Sequence, residues 1–360
     1  QEFEFPANIS FRGPKALWVE WNPALNPERV APNQMRAPRD FPVGPPEKAS
    51  IMRDLQVAQA LVQSGILHLT LKDPHGRDLP QWRPGSHIDL AADGFSRKYS
   101  LCGDPTDRST WQVAILNEPD GRGGSAHFHA TLRPGSKVRA AGPFNLFQLD
   151  ETADSYLLIA GGIGITPILA MADRLKARNK PYSLIYCGKN QAEMPLMARV
   201  MKDHADRLTI YARDRGQRAN LKALTTDLPE GRKIYACGPT RLLDELEALS
   251  GAWSDGTFNC EHFNTTNAIL NPENEHAFKV VLKDSGLELD VRADQTLLEV
   301  LNSAGIDINC DCREGLCGSC EAEVIDGEVD HRDRVLSRPE REAGKRMMTC
   351  CSRAVGEKIT

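Results

Sequence analysis

Three cysteines in one short loop constrain this chain more than any other feature of its 360 residues. Cys312, Cys317 and Cys320 stand in NCDCREGLCGSC with four and then two residues between them, and Cys350 follows thirty residues later in MMTCCSRA. A cluster of two irons and two sulfides needs four thiolates, and this spacing with a distant fourth cysteine suits a plant-type 2Fe-2S centre. Gly315 and Gly318 allow the loop to wrap closely and aim backbone N–H groups at the sulfurs. The C-terminal segment is thus built around a one-electron centre, and something else in the chain must feed it. The competing use of these cysteines is a structural zinc site in a binding module without redox activity. Zinc sites usually take pairs of closely spaced ligands, which this arrangement lacks.

The rest of the chain divides by pattern. Residues 1–21 read as two short strands, FEFPANI and ALWVEW, and residues 22–48 carry seven prolines, the composition of an extended linker. From 49 to 152, short runs such as ILHLTL, HIDLAA, KYSLC, WQVAIL and KVRAAG predict a small antiparallel β-barrel. From 153 to 263, strands (YLLIA, YSLIYCG, LTIYA, KIYACG, TFNCEHF) alternate with helical runs, which predicts a parallel sheet covered by helices. Residues 264–276 form a polar linker, and 277–360 hold FKVVL, LELDV, a helix with Thr296 and Glu299 as a capping box, and the cysteine loop. The fold class is therefore multidomain, with β and α/β parts.

A net charge of −5 and a sequence pI near 6.0 argue against nucleic acid as a partner. No apolar run approaches the ~20 residues of a membrane span, and the start, QEFEFPANIS, has no secretory pattern. A cytoplasmic protein is expected, with Cys102, Cys187, Cys237, Cys260, Cys310 and Cys351 as reduced thiols.

Two glycine-bearing turns join strand to helix in the α/β part. In AGGIGITP, Gly161, Gly162 and Gly164 leave the backbone bare where a pyrophosphate meets a helix N-terminus. The same residues in a turn needed only for packing are the alternative. In ACGPTRLLDELE, Cys237, Gly238 and Pro239 sit at a second strand end, where α/β sheets bind ligands. Taken alone, Cys237 is more often a buried core thiol. In the barrel part, SRKYSLC offers Arg97 for a phosphate, Tyr99 for a flavin ring and Ser100 for a ring heteroatom. GRGGS adds an anion cradle from Arg122, Gly123, Gly124 and Ser125.

RKYSL, GRGGS, GGIGITP, CGP, EHF, CREGLCGSC and MMTCCSRA occur in the order found in the phthalate dioxygenase reductase family, which the chain resembles over about residues 50–360. The resemblance implies an FMN-binding barrel, a nicotinamide-nucleotide domain and a C-terminal β-grasp ferredoxin domain. It implies FMN contacts at Arg97, Tyr99, Ser100, Arg122, Gly123, Gly124 and Ser125, with Phe263 over the flavin face where nicotinamide docks. Cys312, Cys317, Cys320 and Cys350 match the cluster ligands. Cys351 departs from the pattern, and only one of two neighbouring strand residues can face the cluster. Cys350 is chosen for its place before SRA. The head of the chain, ISFRGPKALWVEW, is similar to the closing β-hairpin of heme-thiolate monooxygenases (cytochrome P-450).

These features lead to an NAD(P)H-dependent oxidoreductase passing electrons through FMN and the cluster to a heme monooxygenase fused upstream. The alternative is a separate reductase serving a Rieske-type aromatic oxygenase. Thr166, just after the glycines, either orients the nicotinamide–flavin contact or is simply a first-turn residue. Lys189 stands where an acid would favour a free ribose hydroxyl, and Arg213 and Arg215 lie near a possible 2′-phosphate. These point to NADPH, with NADH also possible and Asp214 opposing.

Overall fold

The computed structural model describes residues 52–119, 121–263, 270–310 and 312–360. The expected heme-domain hairpin, the proline-rich linker and most of the 264–276 segment's first half lie outside the described residues.

The N-terminal lobe is a six-stranded antiparallel sheet of β1 (Arg53–Gln63), β2 (Ile66–Lys72), β3 (Ser86–Ala92), β4 (Phe95–Ser100), β5 (Thr110–Leu116) and β6 (Lys137–Asn145). The strands run in the order β4-β3-β6-β1-β2-β5, and a bridge between Leu101 and Val113 closes the ends into a barrel. Alternating burial along β2 sends Leu67, Leu69 and Leu71 inward, where they meet Trp111, Ile88 and Phe128. Helix α1 (Gly124–Thr131) plugs this core with Phe128, which is fully buried.

The middle lobe alternates β7 (Ser155–Gly161), α2 (Ile165–Ala177), β8 (Tyr182–Gly188), α3 (Met197–His204), β9 (Leu208–Ala212), α4 (Leu221–Thr225), β10 (Arg232–Cys237), α5 (Thr240–Ser250) and β11 (Phe258–Glu261). All neighbouring strands are parallel, in the order β11-β10-β7-β8-β9. Both faces of the sheet are covered, so β7 is apolar along most of its length instead of alternating. Helix α2 is buried nearly all round because it lies between lobes, and its Ala170 belongs to the barrel core.

The C-terminal lobe contains β12 (Phe278–Leu282), β13 (Leu287–Val291), α6 (Leu297–Ser303), β14 (Glu321–Glu323), β15 (Val329–Asp330), α7 (Arg338–Ala343), β16 (Arg346–Met348), β17 (Arg353–Ala354) and β18 (Lys358–Ile359). β12 pairs antiparallel with β13 and parallel with the C-terminal β18. The capping box is present: Glu299 N–H donates to Thr296 Oγ1 at 3.1 Å, and Thr296 N–H donates to Glu299 Oε2 at 2.9 Å. Just before this lobe, Glu275 takes a bidentate Arg332 at 2.5 and 2.8 Å and also faces Arg353 at 3.1 Å. The end of the polar linker is therefore fixed to the lobe.

Candidate functional site

Arg97 lies on β4 with its guanidinium donating to the Arg122 carbonyl at 3.0 Å. Gly124 opens α1 directly beneath it, and a Cβ there would come within 2.8 Å of Arg97 Nε. Gly123 is left-handed, and with Gly124 and Ser125 it forms the first turn of α1, where free N–H groups attract an anion. The Arg97 guanidinium thus sits over the Arg122 carbonyl and the bare start of α1, while the Arg122 guanidinium turns to Glu314 of the cluster loop. Tyr99 is half-buried two residues along and stacks edge-on to Phe128 at 6.1 Å. Burial pushes its phenol far above the ordinary range.

The glycine loops of the middle lobe touch each other. A Cβ on Gly164 would lie 2.2 Å from the Cys237 carbonyl oxygen, and one on Gly161 would meet Pro239 Cδ at 2.6 Å. Gly161, Gly164 and Gly238 therefore answer to close packing of the two loops. Gly162, left-handed at φ 54°, faces open space instead. Thr166 is 1% exposed, and its hydroxyl donates to the Ile163 carbonyl at 3.0 Å. Cys237 is fully buried, which pushes its thiol well up. Phe263 is half-buried and packs on the middle lobe's core. At the far edge of the sheet, the Asp214 N–H donates to the Lys189 carbonyl at 2.9 Å, bringing the segments of Lys189, Arg213 and Arg215 together.

Glu261 was not read from the sequence as a site residue. Parallel pairing sets it opposite Cys237, and Ser100 Oγ of the barrel lies 3.5 Å from its Oε2. Burial pushes its carboxyl up to about 8, against the lowering effect of the Ser100 hydroxyl. Its signal was the EHF motif, whose first residue shares the sheet end with CGP.

In the C-terminal lobe, the thiols of Cys317 and Cys350 both approach Cys312, and Cys350 approaches Cys320. Backbone N–H groups of Glu314 and Leu316 each donate to Cys312 Sγ at 3.3 Å. These hydrogen bonds, led by the Cys317 thiol, hold the Cys312 thiol far below the ordinary range. Gly315 and Gly318 are left-handed, as tight wrapping of a loop requires. Cys350 and Cys351 lie in a turn after β16, so the strand-alternation argument does not apply. Cys351 Sγ is 3.8 Å from the Met348 carbonyl, but it also approaches the Cys350 thiol and lies against Gly315 of the cluster loop, so both neighbouring cysteines face the loop. Cys310, expected to be an ordinary thiol, places its Sγ within 4.8 Å of Cys320 and Cys350. All ten cysteines are free thiols. Cys320 and Cys350 pack among Leu298, Leu336 and Met348, and with Cys317 and the N–H-bonded Cys312 they form a donor set that fits a 2Fe-2S cluster.

The cluster loop also reaches the barrel: Arg122 Nη2 and Glu314 Oε1 are 2.8 Å apart. The barrel therefore touches the strand ends of the middle lobe through Ser100 and Glu261 and the cluster loop through Arg122 and Glu314, the lobe arrangement of an NAD(P)H-dependent electron-transfer oxidoreductase. Residues 280–355 match the 2Fe-2S iron-sulfur cluster binding domain family. Residues 136–253 match the N-terminal domain of dimethylamine monooxygenase subunit DmmA-like proteins. The carnitine monooxygenase reductase subunit of Acinetobacter baumannii is 36% identical over 82% of this chain and 92% of its own length. The crystal structure of phthalate dioxygenase reductase, described as modular for electron transfer from pyridine nucleotides to 2Fe-2S, is 32% identical. It superposes with TM-score 0.64 over 86% of this chain and 97% of its own. The chain belongs to the phthalate dioxygenase reductase family. An intact type IV self-sufficient cytochrome P450 monooxygenase is 48% identical with TM-score 0.76, covering all of this chain. The chain spans 47% of that protein's length. Among the described residues, no helix is long and apolar enough to cross a membrane.

Proposed function

We propose that the chain is the reductase portion of a self-sufficient cytochrome P-450, carrying electrons from NADPH to a heme domain fused upstream, in the cytoplasm. The observation that carries this is the three-lobed junction, where Ser100 meets Glu261 at 3.5 Å and Arg122 meets Glu314 at 2.8 Å. The 48% identity to a self-sufficient monooxygenase supports the heme partner. The division into a hairpin (1–21), linker (22–48), barrel (49–152), nucleotide lobe (153–263), linker (264–276) and ferredoxin lobe (277–360) belongs to the same reading.

Arg97, Arg122 and the first turn of α1 would hold the phosphate of FMN, with Tyr99 to pack on the ring and Ser100 to bond its edge. A bound flavin accepts electrons in pairs and releases them singly. Glu261, mostly neutral at pH 7, holds a proton beside Ser100. Phe263 would cover the flavin face at which nicotinamide docks and shield it from water. Gly161, Gly162, Gly164, Cys237, Gly238 and Pro239 shape the nicotinamide crevice, and Thr166, its hydroxyl engaged in the turn, sets the loop's shape. Arg213, with Lys189 and Arg215, takes the 2′-phosphate. Cys312, Cys317, Cys320 and Cys350 bind the cluster.

A second reading, a separate reductase subunit of an oxygenase system, is favoured by the carnitine monooxygenase reductase subunit, of which this chain covers 92%. Heme analysis of the natural polypeptide decides between them: heme on the same chain is expected, and a heme-free polypeptide that begins near residue 1 contradicts the fusion. Arg213→Ala should lower kcat/KM for NADPH by about tenfold, as expected for losing one charge-assisted phosphate contact, with NADH little changed. An equal loss for both donors would refute the assignment.

A further inference from the structure

Outside the flavin and cluster residues, Glu247 on α5 and Cys260 and His262 at the end of β11 each turn one donor atom toward a common point. Glu247 Oε1, Cys260 Sγ and His262 Nε2 all lie within 4.8 Å of one another. The Nε2–Oε1 separation is 2.9 Å, Sγ–Nε2 is 3.6 Å and Sγ–Oε1 is 3.7 Å. A tetrahedral zinc ion, with bonds of about 2.3 Å to sulfur and about 2.0–2.2 Å to nitrogen and oxygen, sets such donors roughly 3.4–3.6 Å apart. Two edges already have that length, and the hydrogen bond between His262 and Glu247 holds the third shorter.

The surroundings suit a cation. The His262 side chain is 2% exposed, with Nε2 toward Glu247 and Cys260, while its Nδ1 is buried without a partner and would need a bound water to take its proton. Arg334 of the C-terminal lobe takes the other carboxylate oxygen, with Nη1 3.0 Å from Glu247 Oε2, and Nη2 lies 2.9 Å from Asp244. That leaves Oε1 for the ion and fixes the carboxylate's orientation, as outer partners of metal ligands do. Arg341, the other nearby cation, lies 3.9 Å from Asp333. An ion that displaces the Cys260 thiol proton would meet a thiolate beside the Glu247 and Asp244 carboxylates, with Arg334 and Arg341 the cations nearby. Glu247 keeps a third of its side chain exposed, which gives an entry path.

We propose that Glu247, Cys260 and His262 form a three-ligand site for a zinc-class divalent cation, with its fourth position open, at the seam between the nucleotide and iron–sulfur lobes. The site is independent of the electron-transfer reading. It clamps α5 to the end of β11, next to Glu261 and Phe263, while Arg334 ties it to the cluster lobe.

The test is equilibrium dialysis of the full, cluster-loaded chain against micromolar zinc chloride, followed by zinc-edge X-ray absorption, with iron content measured before and after. About one zinc per chain should be retained with iron unchanged, and its shell should contain one sulfur at about 2.3 Å among light atoms. Cys260→Ser should remove the sulfur and weaken retention by about tenfold or more, and Glu247→Gln should weaken it while keeping the sulfur. Flavin and cluster absorbance report whether each variant folds, and the sulfur count of the unsubstituted chain stands even if one does not. No retained zinc, a shell of several sulfurs with iron lost, or a sulfur that survives Cys260→Ser would overturn the proposal.

Discussion

Glu261 is the residue at which local structure changes chemistry most. An exposed carboxyl ionises near 4.5, whereas burial beside Cys237 moves this one up to about 8. The folded protein therefore keeps a proton that the unfolded chain has lost. The stability this contributes is complete below about pH 4.5 and is gone once the pH rises through 8. We expect the rate of cluster reduction by NADPH to fall with an inflection near pH 8, and Glu261→Gln to abolish the inflection. Stopped-flow bleaching from pH 6 to 9 checks this, and an unchanged inflection in the variant would dismiss Glu261 as its source. The sequence offered EHF but no reason to weigh its first residue, because the reason is a contact between lobes. The contact of Arg97 with the GRGGS segment could be anticipated because both pieces are short local motifs, a strand cation and a bare helix start.

Helix α6 shows how an element supports the cluster from a distance. Its capping box fixes the first turn, which seats Leu298 among Cys320, Cys350 and Met348. Removing the capping hydroxyl in Thr296→Ala should cost about 1 kcal/mol. Thermal bleaching of the cluster should then begin several degrees lower, while flavin release stays put. Coincident shifts of both signals, or of neither, would contradict this local coupling. The capping box was readable because its two residues are three apart in sequence. β1, which pairs with both β2 and β6, was not read as a strand, since its burial alternates irregularly and Leu61 and Val62 face solvent. α1 was read only as a glycine nest, because GRGGS carries a turn's composition and the helix owes its stability to Phe128 in the barrel core.

Across the whole molecule, the order of lobes was legible from motif order, but the contacts that hold them together were not. Arg122–Glu314 and Arg334–Glu247 join residues 192 and 87 apart in sequence, and no local pattern announces such pairs. The first is partly exposed, so its worth is about 1 kcal/mol or less. Glu314→Gln should slow transfer from flavin to cluster by roughly two- to fivefold at low ionic strength and hardly at all at high salt. A rate that is the same at every ionic strength would remove this pair from the docking account. The central claim is that one polypeptide takes electrons in pairs and releases them singly, and anaerobic titration with NADPH tests it most directly. A flavin holding two electrons and a cluster holding one should consume about 1.5 equivalents per chain, with the reduced-cluster paramagnetic signal growing in. Bleaching that ends at one equivalent without that signal would contradict the account.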